Sequence, residues 1–206
     1  MEQHLIYIHG FNSSPFSWKA RLLAESIRIN KLQVHFHCPE LSHWPDQAMQ
    51  TLTELINTLQ GNITLIGSSL GGFYSTALLK HYAGIKAILI NPAVAPHTLL
   101  ADYLGPNQNM YTGQKYELTQ QHMQQLLHYY LPDPVNTQDI KVFLQTEDET
   151  LDYRQALHYY RSCELDIEPG GNHGYEGFER RLKDIYQYAG LQLPDPLIQP
   201  QLQEEK

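Results

Sequence analysis

One short segment restricts the fold more than any other: Gly67-Ser68-Ser69-Leu70-Gly71, set between an apolar run and a helix-length stretch. Asn62-Ile63-Thr64-Leu65-Ile66 reads as a buried strand, and Leu70 to Lys80 reads as a helix. A chain that passes from strand to helix within one residue must turn sharply. The turn residue is then strained, with its side chain held above the sheet. Bulky side chains two residues to either side would strike the neighbouring strand and helix, so glycine at 67 and 71 suits such a turn. Gly72 lets the helix pack closely. Ser69 is the expected nucleophile; Ser68 lacks the symmetric glycines.

The rest of the chain fits the same frame. Apolar runs at Leu5–Ile8, Val34–His37, Ile63–Ile66, Ala87–Ile90, Ile140–Leu144 and Glu164–Ile167 alternate with helical patterns at Trp18–Asn30, Asp46–Leu59, Leu70–Tyr82, Tyr153–Tyr160 and Glu176–Tyr188. Several runs are nearly continuous in Ile, Leu and Val, as strands buried on both faces are. Strand–helix alternation of this kind predicts an α/β protein, a mostly parallel sheet of about six strands covered by helices. A single domain over 1–193 is expected. Residues 96–135 exceed a simple crossover and could form a lid or cap, with a helix at Leu118–Tyr130; a plain elongated crossover is the alternative. The segment 194–206, with Pro194, Pro196 and Pro200, is expected to fray.

Charge and composition remove several function classes. Fourteen Lys and Arg against 22 Asp and Glu give a net charge of −8. Such a chain lacks the basic footprint for nucleic acid or anionic lipid. No run approaches the roughly 20 apolar residues of a membrane span, and no secretory signal is legible. Cys38 and Cys163 form no CxxC pair, so two reduced, structural thiols in a cytoplasmic protein are expected.

A serine nucleophile acting on an acyl group needs amides aimed at the developing oxyanion. Leu70 supplies one at the start of its helix. The second is expected from Phe11, in the loop His9-Gly10-Phe11-Asn12-Ser13-Ser14-Pro15 that follows the first strand, where Gly10 permits close approach. The order Ser, acid, His leaves two of eleven histidines, His158 and His173. His158 lies within a helical run, whereas His173 sits in the loop Gly170-Gly171-Asn172-His173-Gly174 and is the expected base. The acid follows the strand ending near Leu144. Asp148 is best placed to fix the imidazole, with Glu147, Glu149 and Asp152 as neighbouring alternatives.

These blocks, with Asn91-Pro92-Ala93-Val94 and Asp148-Glu149-Thr150-Leu151-Asp152-Tyr153, resemble the small bacterial YqiA/YcfP-type esterases from Tyr7 to about Glu179. The resemblance implies a single-domain α/β-hydrolase fold, esterase activity on short acyl or thioester substrates, and catalytic roles for Ser69, His173 and Asp148. One departure is Glu147, where the family commonly has Gly before the Asp-Glu pair; it bears on the turn and leaves the acid open.

The expectation is therefore a cytoplasmic serine esterase or thioesterase that forms an acyl-enzyme on a small-molecule ester or thioester, without cofactor or metal. Amide or peptide hydrolysis on the same triad is one alternative. A catalytically silent hydrolase fold that binds a ligand is the other. His35-Phe36-His37-Cys38 looks like a soft metal site, but a strand puts Cys38 on the face opposite the two histidines. Tyr129-Tyr130 and Tyr159-Tyr160 are read as packing on amphipathic helices, and Phe73 and Tyr74, just after the turn, as core packing or as lining of the pocket.

Overall fold

The computed structural model describes residues 1–202. In chain order the elements are β1 (Gln3–Ile8), α1 (Trp18–Ile29), β2 (His35–His37), α2 (Pro45–Thr58), β3 (Asn62–Ser68), α3 (Leu70–Leu79), β4 (Lys86–Ile90), α4 (Pro96–Leu99), β5 (Gly105–Gln108) and β6 (Lys115–Leu118). They continue with α5 (Gln120–Tyr129), β7 (Ile140–Gln145), α6 (Tyr153–Tyr159), β8 (Glu164–Glu168) and α7 (Leu182–Tyr188). Six strands form one sheet in the order β2-β1-β3-β4-β7-β8, and every pairing in it is parallel. The six runs read as strands are these six.

Alternate residues of each central strand feed opposite cores, as a period of two requires. Ile6, Leu65, Leu89, Val142 and Leu144 pack against α2, α3 and α6 on one face. Leu5, Tyr7, Ile66, Ile88, Ile90 and Phe143 pack against α1 and α7 on the other. Leu22 and Leu23 of α1 are buried completely or nearly so, each contributing about 1.5–3 kcal/mol relative to exposure. No helix among the described residues is long and apolar enough to cross a membrane.

Three segments differ from their expected form. Residues 176–181 are not α-helical. Tyr175 and Gly177 both take positive φ, 65° and 71°, so the chain first makes a 3-10 turn over Phe178–Arg181 and only then enters α7. Within 96–135 lies an antiparallel hairpin, β5 paired with β6, and Leu118 ends a strand rather than opening α5. The C-terminal segment is held against the domain through Leu202: Asn30 and Ile198 exchange side-chain and main-chain hydrogen bonds of 2.8 Å in both directions, and Leu197 and Leu202 join the α1–α7 core. Residues 203–206 lie outside the described residues.

Candidate active site

The C-terminal ends of β1, β3, β7 and β8 converge on Ser69. As expected from its neighbours, Ser69 is strained, with φ 54° and ψ −118°. A Cβ at Gly67 would collide with the Gly71 carbonyl and the Ser75 hydroxyl; one at Gly71 would strike the Ile8 carbonyl. Two main-chain bonds pin the turn to the region after β4: Ser69 N–H donates to the Ile90 carbonyl (3.0 Å), and Ala93 N–H donates to that of Ser69 (3.1 Å). A strained residue at about 1–3 kcal/mol persists only when its surroundings over-determine it. Here they do.

His173 and Asp148 meet this serine. His173 Nε2 lies 3.1 Å from Ser69 Oγ, and Nδ1 lies 2.8 Å from Asp148 Oδ2. An ionised carboxylate only accepts, so Nδ1 carries the hydrogen and Nε2 is left to accept the serine proton. The Asp148 side chain is 2% exposed. Its Oδ1 accepts the main-chain amides of Thr150 (2.9 Å) and Leu151 (2.8 Å), so the turn after β7 itself fixes the carboxylate.

The acidic neighbours do other things. Glu149 accepts the main-chain N–H of His173 at 3.0 Å. Asp152 caps α6 by accepting Arg154 N–H and also pairs with the Arg154 guanidinium. Glu147 N–H donates to the Gly170 carbonyl, joining the acid turn to the histidine loop. His158 lies within α6.

Two residues with no assigned role in the sequence reading hold the histidine loop. Gln145, 1% exposed at the end of β7, accepts Asn172 N–H (3.0 Å) and Glu176 N–H (2.8 Å) and donates to the Glu176 carbonyl (2.8 Å). Asn91 follows β4 with φ 41°. Its amide donates to the Asn172 and His173 carbonyls, and its oxygen accepts Gln145 N–H. A polar residue closing the apolar run Val142-Phe143-Leu144 was the available signal for Gln145.

On the opposite side stands the loop after β1. A Cβ at Gly10 would come within 3.2 Å of Ser69 Cβ, so a side chain at this position would crowd the serine. His9, buried at 4% exposure, accepts Leu41 N–H at Nε2 (3.3 Å) and donates from Nδ1 to the Gly10 carbonyl (3.1 Å). Burial lowers its pKa below 6.5, in keeping with a neutral ring that both donates and accepts. Because the peptide is planar and trans, fixing the Gly10 carbonyl also fixes the direction of the Phe11 N–H. Leu70 opens α3, so its N–H has no carbonyl partner within the helix.

Two clefts meet at the serine. One, of about 450 Å³, is lined by Phe11, Leu70, Pro96, Leu99, Leu100 and Leu151 among others, with Asp102 as its one acidic residue. The second, about 210 Å³, is bordered by Ser13, Ser17, Ser68, Tyr111 and Gly174. Phe11, Ser69 and His173 belong to both. Phe73 and Tyr74 are core residues, 4% and 3% exposed. Elsewhere, His4 lies against both His35 and His37, yet no group of three or more His, Cys, Asp or Glu among the described residues could hold a metal ion.

Solved structures share the fold. Est1E from Butyrivibrio proteoclasticus, captured with ferulic acid, is similar at 15% identity over 91% of this chain and 86% of its own, with a TM-score of 0.64. Mouse alpha/beta hydrolase domain-containing protein 10 matches at 15% identity over 92% and 89%, TM-score 0.64. A structure from the study of LipS and LipT, two metagenome-derived lipolytic enzymes, matches at 15% identity over 91% and 93%, TM-score 0.62. At such identities the likeness is one of fold, and the fold is that of the α/β hydrolases. Over residues 4–190 the sequence matches the Uncharacterised protein family UPF0227, the YqiA/YcfP-type family, and the chain belongs to it.

Proposed function

We propose that this chain is a serine hydrolase that cleaves carboxylic esters or acyl thioesters through an acyl-enzyme. The observation that carries the reading is the continuous line Asp148–His173–Ser69, with contacts of 2.8 and 3.1 Å, on a strained turn. Ser69 Oγ attacks the acyl carbonyl as His173 Nε2 takes its proton, and Asp148 stabilises the imidazolium. The Leu70 and Phe11 amides hold the oxyanion. His173 then returns its proton to the leaving alkoxide or thiolate. In the second half, His173 activates a water that releases the acid and restores Ser69. Every proton transfer runs through the one imidazole.

The 450 Å³ cleft favours an apolar group beside the reacting carbonyl, since Leu99, Leu100, Leu151 and Pro96 offer it no polar partner. The ferulic acid bound by Est1E and the lipolytic activity of LipS and LipT lend support by analogy of fold. A cytoplasmic setting accords with two unpaired thiols, Cys38 and Cys163, whose pKa values burial raises to about 12 and about 11.

The test compares a p-nitrophenyl ester with the p-nitroanilide of the same acid, alongside the acyl thioester. Ester and thioester turnover should exceed amide turnover. Faster amide cleavage would move the assignment to an amidase, and no turnover of any of them by folded protein would favour a silent fold.

A further inference from the structure

The insertion between β4 and β7 does more than roof the cleft. Four hydrogen bonds run from the β5–β6 hairpin to Asn12 and Ser13, the two residues after Phe11. The Tyr116 hydroxyl donates to Asn12 Oδ1 (2.7 Å), and Asn12 Nδ2 donates to Asn107 Oδ1 (3.3 Å). Met110 N–H donates to the Asn12 carbonyl (3.2 Å), and Asn109 Nδ2 donates to that of Ser13 (2.8 Å). Asn12 takes φ 52°, a left-handed conformation that a non-glycine residue keeps only where something holds it. Both polar groups of its side chain are engaged by the hairpin.

The hairpin is itself anchored. The Tyr116 ring stacks on His43, centroids 4.2 Å apart and 20° between planes. His43 shares a 3.0 Å hydrogen bond with His122, which forms a reciprocal cap with Thr119 at the start of α5. The Phe11 N–H belongs to the Gly10–Phe11 peptide, which is bounded on one side by the His9–Gly10 contact and, beyond Phe11 itself, by Asn12, whose conformation the hairpin holds.

We propose that Asn12 and Tyr116 are positioning residues, through which the β5–β6 hairpin sets the Phe11 amide as the second oxyanion donor and stays seated through turnover. This rests on the serine-hydrolase reading above. Swinging the hairpin away would break all four bonds and release Asn12 from its left-handed state, leaving the Gly10–Phe11 peptide, which carries the Phe11 N–H, held by the His9 contact alone. A peptide held from one side alone is freer to turn its N–H away from the oxyanion, and oxyanion donors act through preorganisation.

The experiment measures kcat and KM on a p-nitrophenyl ester for Tyr116→Phe, Asn12→Ala, Asn12→Asp and Asn109→Ala. It adds the inhibition constant of an alkyl boronic acid, whose tetrahedral adduct puts an oxygen in the oxyanion hole. Deleting an oxyanion donor outright costs about 10²–10³ in kcat, so displacing one should cost about 10- to 100-fold. Tyr116→Phe and Asn12→Ala should lower kcat by that amount with KM within about twofold, and weaken the boronic acid by a similar factor. Asn12→Asp keeps the oxygen that accepts from Tyr116 and tolerates positive φ, so it should recover part of the loss. Asn109→Ala, in the turn between β5 and β6, should follow the same pattern more weakly. Variants within about twofold of wild type in kcat would overturn the proposal while leaving the hydrolase reading intact. So would losses that follow only the titrated fraction of folded sites, with boronic acid binding unchanged. Wild-type protein inert to every ester and unbound by the boronic acid would overturn both.

Discussion

Asp148 meets His173 Nδ1 with both carboxylate oxygens, Oδ2 at 2.8 Å and Oδ1 at 3.0 Å, and Oδ1 also accepts two amides of its own turn. The same loop sends Glu149 to the main-chain N–H of His173. Two adjacent acids therefore hold one histidine in different ways, and only Asp148 touches the ring.

That difference separates them by mutation. Asp148→Asn should lower kcat by about 10³–10⁴, because the amide no longer selects the reactive tautomer. Glu149→Gln keeps an acceptor for the His173 amide and should cost less than about tenfold. Asp152→Asn should leave kcat within about twofold, since it acts at an exposed helix start. The check is kcat on one ester for all three. Equal losses at 148 and 149 would refute this division of labour.

Gln145 should matter although it touches neither Ser69 nor the His173 ring. Gln145→Ala removes the acceptor of the Asn172 and Glu176 amides and leaves polar groups of the loop without partners, at roughly 1–3 kcal/mol. Lower stability in urea and a kcat reduced about tenfold or more are expected together. A destabilised variant with unchanged kcat would show that the loop keeps His173 in place unaided.

The apolar cleft should set chain-length preference. Leu100→Trp fills space beside Leu99 and Pro96. It should lower kcat/KM for octanoate esters about tenfold or more, while acetate esters change by less than about twofold. Equal effects on both would place the acyl group elsewhere, with the 210 Å³ cleft the next candidate.

Stability should fall in mild acid. Burial holds His9, His43 and His122 below the ordinary histidine value of 6.5, and the neighbouring His43 lowers His122 further. The unfolded chain therefore binds more protons than the folded one below about pH 7, and stability rises with pH across that window. The contribution is complete above about pH 7.5 and is lost progressively as pH falls through 6.5 toward the native values. The His43–His122 bond is between neutral rings, because His122 Nδ1 accepts Thr119 N–H. Urea midpoints at pH 8, 6.5 and 5.5 should decline in that order, and less steeply in His43→Gln. A flat or rising series would contradict the assigned neutral rings.

How much of this was legible depends on how local the cause is. The turn at Ser69 depends on glycines two residues away, so spacing alone revealed it. His173 stood out through chain order and a glycine-rich loop. Asp148 was one of four acids, and what distinguishes it is the capture of Oδ1 by Thr150 and Leu151, a property of the folded turn. The hairpin escaped notice because Gly105-Pro106-Asn107-Gln108 has no apolar alternation, and Lys115-Tyr116-Glu117-Leu118, which alternates, is only four residues long and runs straight into the helical pattern of α5. Its strands are held by each other and by the Asn12 clasp, not by burial in the sheet. The prolines near the C-terminus suggested fraying, but the pairing of Asn30 with Ile198 joins residues far apart in sequence.

The central claim is that Ser69 is a nucleophile activated by His173. Intact-mass and peptide mass spectrometry after treatment with a fluorophosphonate tests it most directly. Wild-type protein should gain one adduct, on the peptide containing Ser69, and lose ester hydrolysis in step. Ser69→Ala should gain none and retain about 10⁻⁴–10⁻⁶ of the wild-type kcat. Folded wild-type protein that stays unlabelled while a control esterase reacts, or a Ser69→Ala variant of full activity, would contradict it.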